Sequence, residues 1–247
     1  LSSDTFDNQT YYNDGITATE DSDLDLNQFG GVFVSNGAAG LRKLTFGFNY
    51  DRTTDFDNGF IASGTSNNSI SDYFLGYAQG TSLDLLELQS DETIDDLYQY
   101  LGESASFGAQ QAFLGYQGYL IDPVSSDLSN TEYTNAQNGN TFDQDYQYTT
   151  FGNSSKFSFN AAAQLSDQFY LGLNLNAHTF DFTRNTIFYE SNTGTNNAVT
   201  NVRFDNEYRA FGTGVSAQFG AIYHASSSLR LGASYDTPTF YTISEET

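Results

Sequence analysis

The sequence predicts an all-β fold, in which long antiparallel strands form part of a transmembrane β-barrel that carries a helical insertion in one outer loop. Three observations support this prediction. Apolar and polar residues alternate over unusually long stretches, the composition suits strands joined by polar loops, and tight connections alternate with long ones along the chain. A transmembrane barrel combines all three features, whereas a helical bundle has none of them.

Period-two alternation is the main signal. Leu44, Phe46, Phe48 and Tyr50 occupy one face of a predicted strand, with small or polar residues between them. Four further segments alternate in the same way: 157–164, 169–178, 211–223 and 229–236. Each run is about the 9–11 residues that a tilted strand needs to cross a bilayer, whereas globular strands are usually nearer 5–6. The second face is rich in Gly, Ser, Asn and Gln, which suits a lumen.

The composition excludes several classes of protein. The formal net charge of −23 repels nucleic-acid phosphates, so we expect no nucleic-acid partner. Aromatic residues make up 16% of the chain, which is too many for an acidic disordered chain. There is no Cys and no apolar run long enough for a transmembrane helix. The chain begins at Leu1 and contains no Met, so we interpret it as a fragment without its export signal.

Connection lengths set the expected topology. Short connections are predicted at 36–40, 166–168 and 225–228, and long ones at 13–19, 57–145 and 192–199. Short turns on one side of a membrane and long loops on the other are typical of outer-membrane barrels. We therefore predict one incomplete barrel domain over residues 1–247, with one partial and six full strands. All of 57–145 is assigned to a single extracellular excursion.

The pattern inside this excursion is helical. Ile70, Tyr73, Phe74 and Tyr77 recur at helical spacing. A second set, beginning after the potential helix cap at Ser90, comprises Ile94, Leu97, Tyr98 and Leu101. Connections of this length are usually functional, and the apolar faces of such helices must pack on each other, enter the lumen or frame a pocket.

Several segments resemble one known family. They are 25–34, 44–50 with the following Asp55-Phe56-Asp57-Asn58, 108–119, 156–160, 170–176 and 229–238. Together they resemble the FadL-type bacterial outer-membrane transporters of long-chain fatty acids and other hydrophobic compounds. The resemblance implies a 14-stranded barrel, of which about seven strands are present here, while the N-terminal plug and the C-terminal strands are missing. It also implies passive diffusion of a hydrophobic ligand and contact with outer-membrane lipid.

Two groups of residues are candidates for ligand binding. Apolar side chains of the excursion are expected to line an entry groove: Tyr73, Phe74, Tyr77, Leu85, Leu86, Leu97, Tyr98, Phe113, Leu114 and Tyr116. They can equally serve only to hold the helices together. Arg184, Arg203 and Arg209 lie near outer strand ends and are candidates for binding a ligand carboxylate. The alternative, which we favour for these three, is pairing with loop carboxylates.

No chemistry-bearing motif supports an enzyme, a metal site or a cofactor. Asp21, Asp23, Asp25 and Asn27 recur every second residue, but the Gly that a calcium loop needs is missing. His178 and His224 have no second ligand at metal spacing. Two other functions remain open: a surface adhesin or structural barrel whose acidic loops bind a partner, and a soluble secreted all-β binding domain.

Overall fold

The chain folds into long antiparallel strands with one group of short helices. The computed structural model describes residues 2–37, 41–137, 141–192, 194 and 199–247. The strands are β1 (Ser2–Tyr12), β2 (Gly15–Asp25), β3 (Gln28–Asn36), β4 (Lys43–Asp55), β5 (Asn58–Ser66), β6 (Ile121–Pro123), β7 (Tyr133–Asn135), β8 (Phe142–Gln164), β9 (Phe169–Asn192), β10 (Asn201–His224), β11 (Arg230–Asp236) and β12 (Phe240–Glu246). The helices are α1 (Ser71–Ala78), α2 (Ile94–Tyr100) and α3 (Phe107–Gln117), with a 3-10 turn at Leu83–Leu85 and a π-helical turn at Leu101–Ala105.

Eight strands form the main sheet, in the order β11-β10-β9-β8-β4-β3. β5 continues β4 along the same edge of β8, and β12 likewise shares one edge of β10 with β11. Pro238 lies in the break between β11 and β12, where its missing N–H prevents a continuous ladder. Within the described residues, the end strands β3 and β11 are not paired with each other.

The all-β, antiparallel prediction is confirmed, but the predicted element lengths are not. β8, β9 and β10 contain 23, 24 and 24 residues, about twice the length expected. The helices occupy only part of the excursion predicted at 57–145, because 58–66 form β5 and 142–145 begin β8. The long loop predicted at 13–19 is wrong: Asn13 and Asp14 form a two-residue turn between β1 and β2. Asn13 takes a φ of 48°, which Asn tolerates better than most residues.

The two sheet faces exchange polarity halfway along the long strands. We call the side on which the helices pack the helix face, and the opposite side the free face. We call the half of the strands that contains 153–164 of β8, 169–181 of β9 and 211–224 of β10 the lower part, and the other half the upper part. In the lower part the free face is apolar, with pairs such as Phe159 and Leu175. In the upper part the free face is polar (Asp143, Asp145, Arg203, Asp205, Glu207) and the helix face is aromatic (Tyr146, Tyr148, Phe182, Phe188, Phe204). The exchange occurs at one height, where Gly152, Phe182 and Ala210 are register partners.

The lower helix face is a hydrogen-bonded polar surface. Ser158 Oγ donates to Asn176 Oδ1 (2.8 Å), and Asn176 Nδ2 donates to Ser216 Oγ (3.2 Å). Asn174 Nδ2 donates to Gln218 Oε1 at 2.8 Å in the next row. These side chains satisfy one another across three strands, which explains how polar residues at a strand centre can be buried at low cost.

The helices form the main apolar core. Its buried residues are Phe74, Ala78, Leu83, Leu86, Leu97, Leu101, Ala109, Ala112, Phe113, Leu120, Ile121 and Tyr133. Val202 and Phe204 of upper β10 pack against this core, so the helices are attached to the helix face of the sheet. Helices α1 and α3 cross closely at Gly115, where a Cβ would lie 2.5 Å from Phe74 Cβ. No helix among the described residues has the length and apolar character needed to cross a membrane.

The β1–β2 hairpin lies against β5. A Cβ on Gly15 would collide with the carbonyl oxygen of Ser63, so glycine is required for this approach. Asn8 Nδ2 donates to Gly59 O at 2.7 Å. At the other end of the hairpin, Arg52 forms an ion pair with Asp25, and both side chains are largely buried. These contacts bring the hairpin turn to the upper part of the sheet.

Candidate functional site

A cavity of about 600 Å³ lies between the upper helix face and the first helix. β8, β9 and β10 form its floor, α1 and the start of α3 form its opposite wall, and the β1–β2 turn closes one side through Tyr12. Its volume falls in the range of roughly 300–1,000 Å³ that is usual for small-molecule sites. Tyr73, Tyr77 and Phe107 remain 38–50% exposed, so the cavity is open to solvent.

The lining combines aromatic rings with polar side chains. The rings belong to Tyr12, Tyr73, Tyr77, Phe107, Tyr146, Phe188 and Phe204, and Ile70 is the aliphatic member. The polar side chains are Ser66, Asn68, Ser69, Gln144, Arg184, Thr186 and Asn206. Such a mixture fits an apolar ligand that is held in one orientation by a few polar contacts.

Arg184 is the one cation of this lining. Its register partners are Thr150 and Tyr208, and its guanidinium carbon lies 5.2 Å from the centre of the Tyr208 ring. Its Nε is buried and has no hydrogen-bond partner. Among the described residues, no carboxylate lies within 4.0 Å of it. Arg184 is therefore held by a cation–π contact with Tyr208 and has no carboxylate partner among the described residues.

Tyr146 lies beside this cation. Burial raises the pKa of Tyr146, and the positive charge of Arg184 partly opposes that increase. Burial also raises the pKa of Tyr73 to about 12, with a further contribution from Tyr77. The cavity walls therefore hold neutral phenols, which can donate hydrogen bonds, over the whole physiological pH range.

A buried carboxylate network supports the cavity from one end. Glu190 is 2% exposed and accepts from Ser69 Oγ (2.5 Å), Ile70 N (2.8 Å) and Gln144 Nε2 (2.6 Å). Tyr12 OH donates to the other side of the Gln144 amide, at 2.6 Å from Oε1. Glu190 therefore fixes the beginning of α1, where a negative charge is favoured, and connects it to the sheet and the hairpin turn.

The predicted site residues separate into three groups. Tyr73, Tyr77 and Arg184 line the cavity. Phe74, Leu86, Leu97 and Phe113 are buried in the helical core, with Leu85, Leu114 and Tyr116 packed against it, and Tyr98 borders a neighbouring smaller cavity. Arg203 and Arg209 are placed on the free face, where they form ion pairs with Asp205 (2.9 Å) and Asp181 (2.5 Å). Binding of a ligand by any of them stays a prediction.

Sequence reasoning missed Glu190, Gln144 and most of the cavity floor. A signal was present, because Phe204 and Tyr208 alternate with Arg203, Asp205 and Glu207 in the upper half of β10. In this upper half the apolar residues have even numbers, whereas in the lower half of β10 they have odd numbers. A search for one continuous apolar face therefore ends where the polarity exchanges.

Neither a metal site nor a similar protein indicates what this cavity binds. In the part of the chain that the structure describes, no three His, Cys, Asp or Glu side chains are grouped to hold a metal ion. His178 Nε2 lies 2.9 Å from Ser216 Oγ within the polar lower helix face. Comparison of the chain with protein-family models, with curated proteins and with solved structures finds no match.

Proposed function

We propose that this chain is part of a bacterial outer-membrane β-barrel that binds hydrophobic molecules at its outer end and lets them pass by diffusion. Long-chain fatty acids are the first class to test. The observation that carries the proposal is the cavity beside Arg184 on the helix face, at a level above the apolar belt that is exposed on the opposite, free face. No chemical step is needed, because transfer of apolar surface from water into the cavity drives binding.

The apolar belt supports the membrane part of the proposal. On the free face, Leu175, Val215, Phe219 and Leu231 are 51–61% exposed. Along β9 the belt extends from Phe169 to Ala177, close to the ~9–11 residues that a tilted strand needs to cross a bilayer. Above it the same face becomes polar, as expected where strands leave the membrane.

The polar lower helix face supports a lumen. Asn174, Asn176, Ser216 and Gln218 lie directly behind the apolar belt and hydrogen bond one another. Apolar-out and polar-in alternation is the arrangement of a transmembrane barrel. Closure by further strands would pair the edges of β3 and β11, whose free main-chain groups are costly in lipid.

The test is ligand binding by the full chain refolded in detergent. A fluorescent long-chain fatty acid is titrated into the unchanged protein, Phe188→Asp and Tyr189→Asp. Phe188 lines the cavity, whereas its neighbour Tyr189 lies on the free face and is 40% exposed. We expect saturable binding that Phe188→Asp weakens at least about tenfold, because a charge would be buried in an apolar wall. Tyr189→Asp should bind as the unchanged protein does.

Other results would favour other functions. A well-folded protein that binds no hydrophobic probe would contradict the proposal and favour an adhesin or structural barrel. A monodisperse protein that unfolds cooperatively in buffer without detergent would favour a soluble secreted domain.

A further inference from the structure

The rings around the cavity are arranged for contact with another ring. Tyr73 and Tyr77 meet at 5.1 Å and 70°, and Tyr77 meets Phe107 at 5.7 Å and 86°. Tyr73 also lies 6.0 Å from Phe204 on the cavity floor. Edge-to-face and offset arrangements favour a further aromatic ring over a saturated chain, because the ring edge and the ring face carry opposite partial charges.

The polar part of the lining disfavours a long alkyl chain. Thr186 and Asn206 lie among these rings, whereas the Gln144 amide already has its hydrogen-bond partners in Tyr12 and Glu190. A saturated chain that filled the cavity would remove water from such groups without replacing its hydrogen bonds, and each unpaired group weakens binding. A compact planar ligand would cover the rings and leave these side chains hydrated.

Arg184 provides the polar anchor. Arg184 lines the cavity, and a planar guanidinium can hold a carboxylate through two parallel hydrogen bonds. Tyr208 contacts the guanidinium through a cation–π interaction, and Glu245, which interacts with the Tyr208 hydroxyl, lies more than 4.0 Å from the Arg184 nitrogens. Arg184 therefore faces the cavity without a carboxylate partner among the described residues, as a site for a ligand carboxylate requires.

We infer that the cavity selects an aromatic carboxylate, bound with its carboxylate on Arg184 and its ring against Tyr77 and Phe204. This rests on the proposed function and narrows its ligand class. The ligand of highest affinity is then a planar aromatic acid rather than a saturated fatty acid of equal carbon number.

The test compares two acids with the same number of carbons, 2-naphthoate and undecanoate, by calorimetric titration of the full chain in detergent, with empty micelles as the blank. We expect 2-naphthoate to bind about tenfold more tightly than undecanoate. Arg184→Gln should weaken 2-naphthoate binding at least about tenfold, and Arg184→Lys should weaken it less because the charge remains. Arg42→Gln, a change to an exposed cation that pairs with Asp167 at the lower end of the sheet, should leave binding unaltered.

The outcomes separate this inference from the function on which it rests. Undecanoate binding equal to or tighter than that of 2-naphthoate, and abolished by Phe188→Asp, would overturn the inference while the hydrophobic-ligand function stands. Equal 2-naphthoate binding by Arg184→Gln and the unchanged protein would also overturn it. A folded protein that binds neither acid nor the fluorescent fatty acid would remove both proposals.

Discussion

Glu190 shows how a carboxyl side chain is kept buried at the upper end of the molecule. Its carboxylate accepts three hydrogen bonds, one from the main chain at the start of α1 and two from side chains. A buried carboxylate is costly unless such donors are present, and the donors in turn need the acceptor. Position 190 therefore determines where α1 begins and how it is attached to the sheet.

Removal of this acceptor should destabilise the upper end of the molecule. We expect Glu190→Ala to lower the free energy of unfolding in detergent by roughly 1–3 kcal/mol, because buried donors lose their partner. Glu190→Gln should lose less, since one amide oxygen remains to accept. The matched control is Asp145→Asn on the exposed free face, which should change stability by less than about 0.5 kcal/mol. Equal losses for Glu190→Ala and Asp145→Asn, measured by urea unfolding, would contradict this role.

Two phenols, the buried Tyr133 and the partly exposed Tyr73, should make the fold sensitive to alkali. Burial raises the pKa of Tyr73 and of Tyr133 to about 12, from an ordinary value of 10.0. The folded state holds these protons where the unfolded state has lost them. Their contribution to stability is therefore complete below pH 10 and is lost as the pH rises to about 12. We expect stability to fall over this interval, and Tyr73→Phe to reduce the fall.

The measurement is the free energy of unfolding as a function of pH, with the phenolate absorbance followed in parallel. In urea the unfolded chain should ionise near the ordinary value, which provides the reference. A flat stability profile between pH 10 and 12 would show that folding does not raise the pKa of these two phenols.

At the scale of elements, the helical group depends on a close crossing rather than on helix propensity. α1 and α2 contain 8 and 7 residues, too short to be stable alone. The capping box of α2, in which Thr93 and Asp96 exchange hydrogen bonds, contributes locally. The remaining stability comes from the shared core, and the distance between α1 and α3 depends on the absent side chain at Gly115.

Two glycine substitutions test this crossing against propensity. Gly115→Ala should destabilise by about 1–3 kcal/mol, because its Cβ would approach Phe74 to 2.5 Å in a packed core. Gly76→Ala, on α1 with nothing within 4 Å of the added Cβ, should instead stabilise by about 0.5–1 kcal/mol. Chemical denaturation of both variants measures the change in the free energy of unfolding and its sign. Stabilisation by Gly115→Ala would disprove the close crossing.

At the scale of the whole molecule, the exchange of polarity along β8 to β10 divides the sheet into two zones. The lower zone has its apolar side on the free face, and the upper zone has it against the helices. One set of strands would therefore contact lipid below and enclose the binding cavity above. This division predicts different responses to the same substitution in each zone.

Leu175→Arg in the lower zone should cost about 2–4 kcal/mol for a protein folded in lipid vesicles, because a cation would face hydrocarbon. Gln147→Arg on the upper free face should cost less than about 0.5 kcal/mol, because that surface is exposed to water. Urea unfolding in vesicles gives both values. A similar small cost for both substitutions would contradict a lipid-facing belt.

The sequence predicted the lower zone better than the upper one. Leu171, Leu173 and Leu175 alternate with Gly172, Asn174 and Asn176, and the structure places the two sets on opposite faces. The predicted strand ends were wrong. In the upper half the apolar residues lie at the opposite parity, so a pattern that follows one apolar face meets polar residues there and predicts a loop. The roles of Phe74 and Phe113 were ambiguous for a related reason: helical spacing identifies an apolar face but not what covers it.

The sequence by itself determined the all-β class, the position of the helical insertion and the apolar alternation of the lower strands, because these depend on local periodicity and composition. Only the tertiary structure decided that Arg184 lies in the cavity while Arg203 and Arg209 lie on the other face, and that Glu190 joins α1 to the sheet. Those arrangements depend on strand register and on contacts between residues far apart in the chain. A shift of one residue in strand register moves a side chain to the opposite face of the sheet. Local sequence patterns do not fix the register, so they cannot show on which face such a side chain lies.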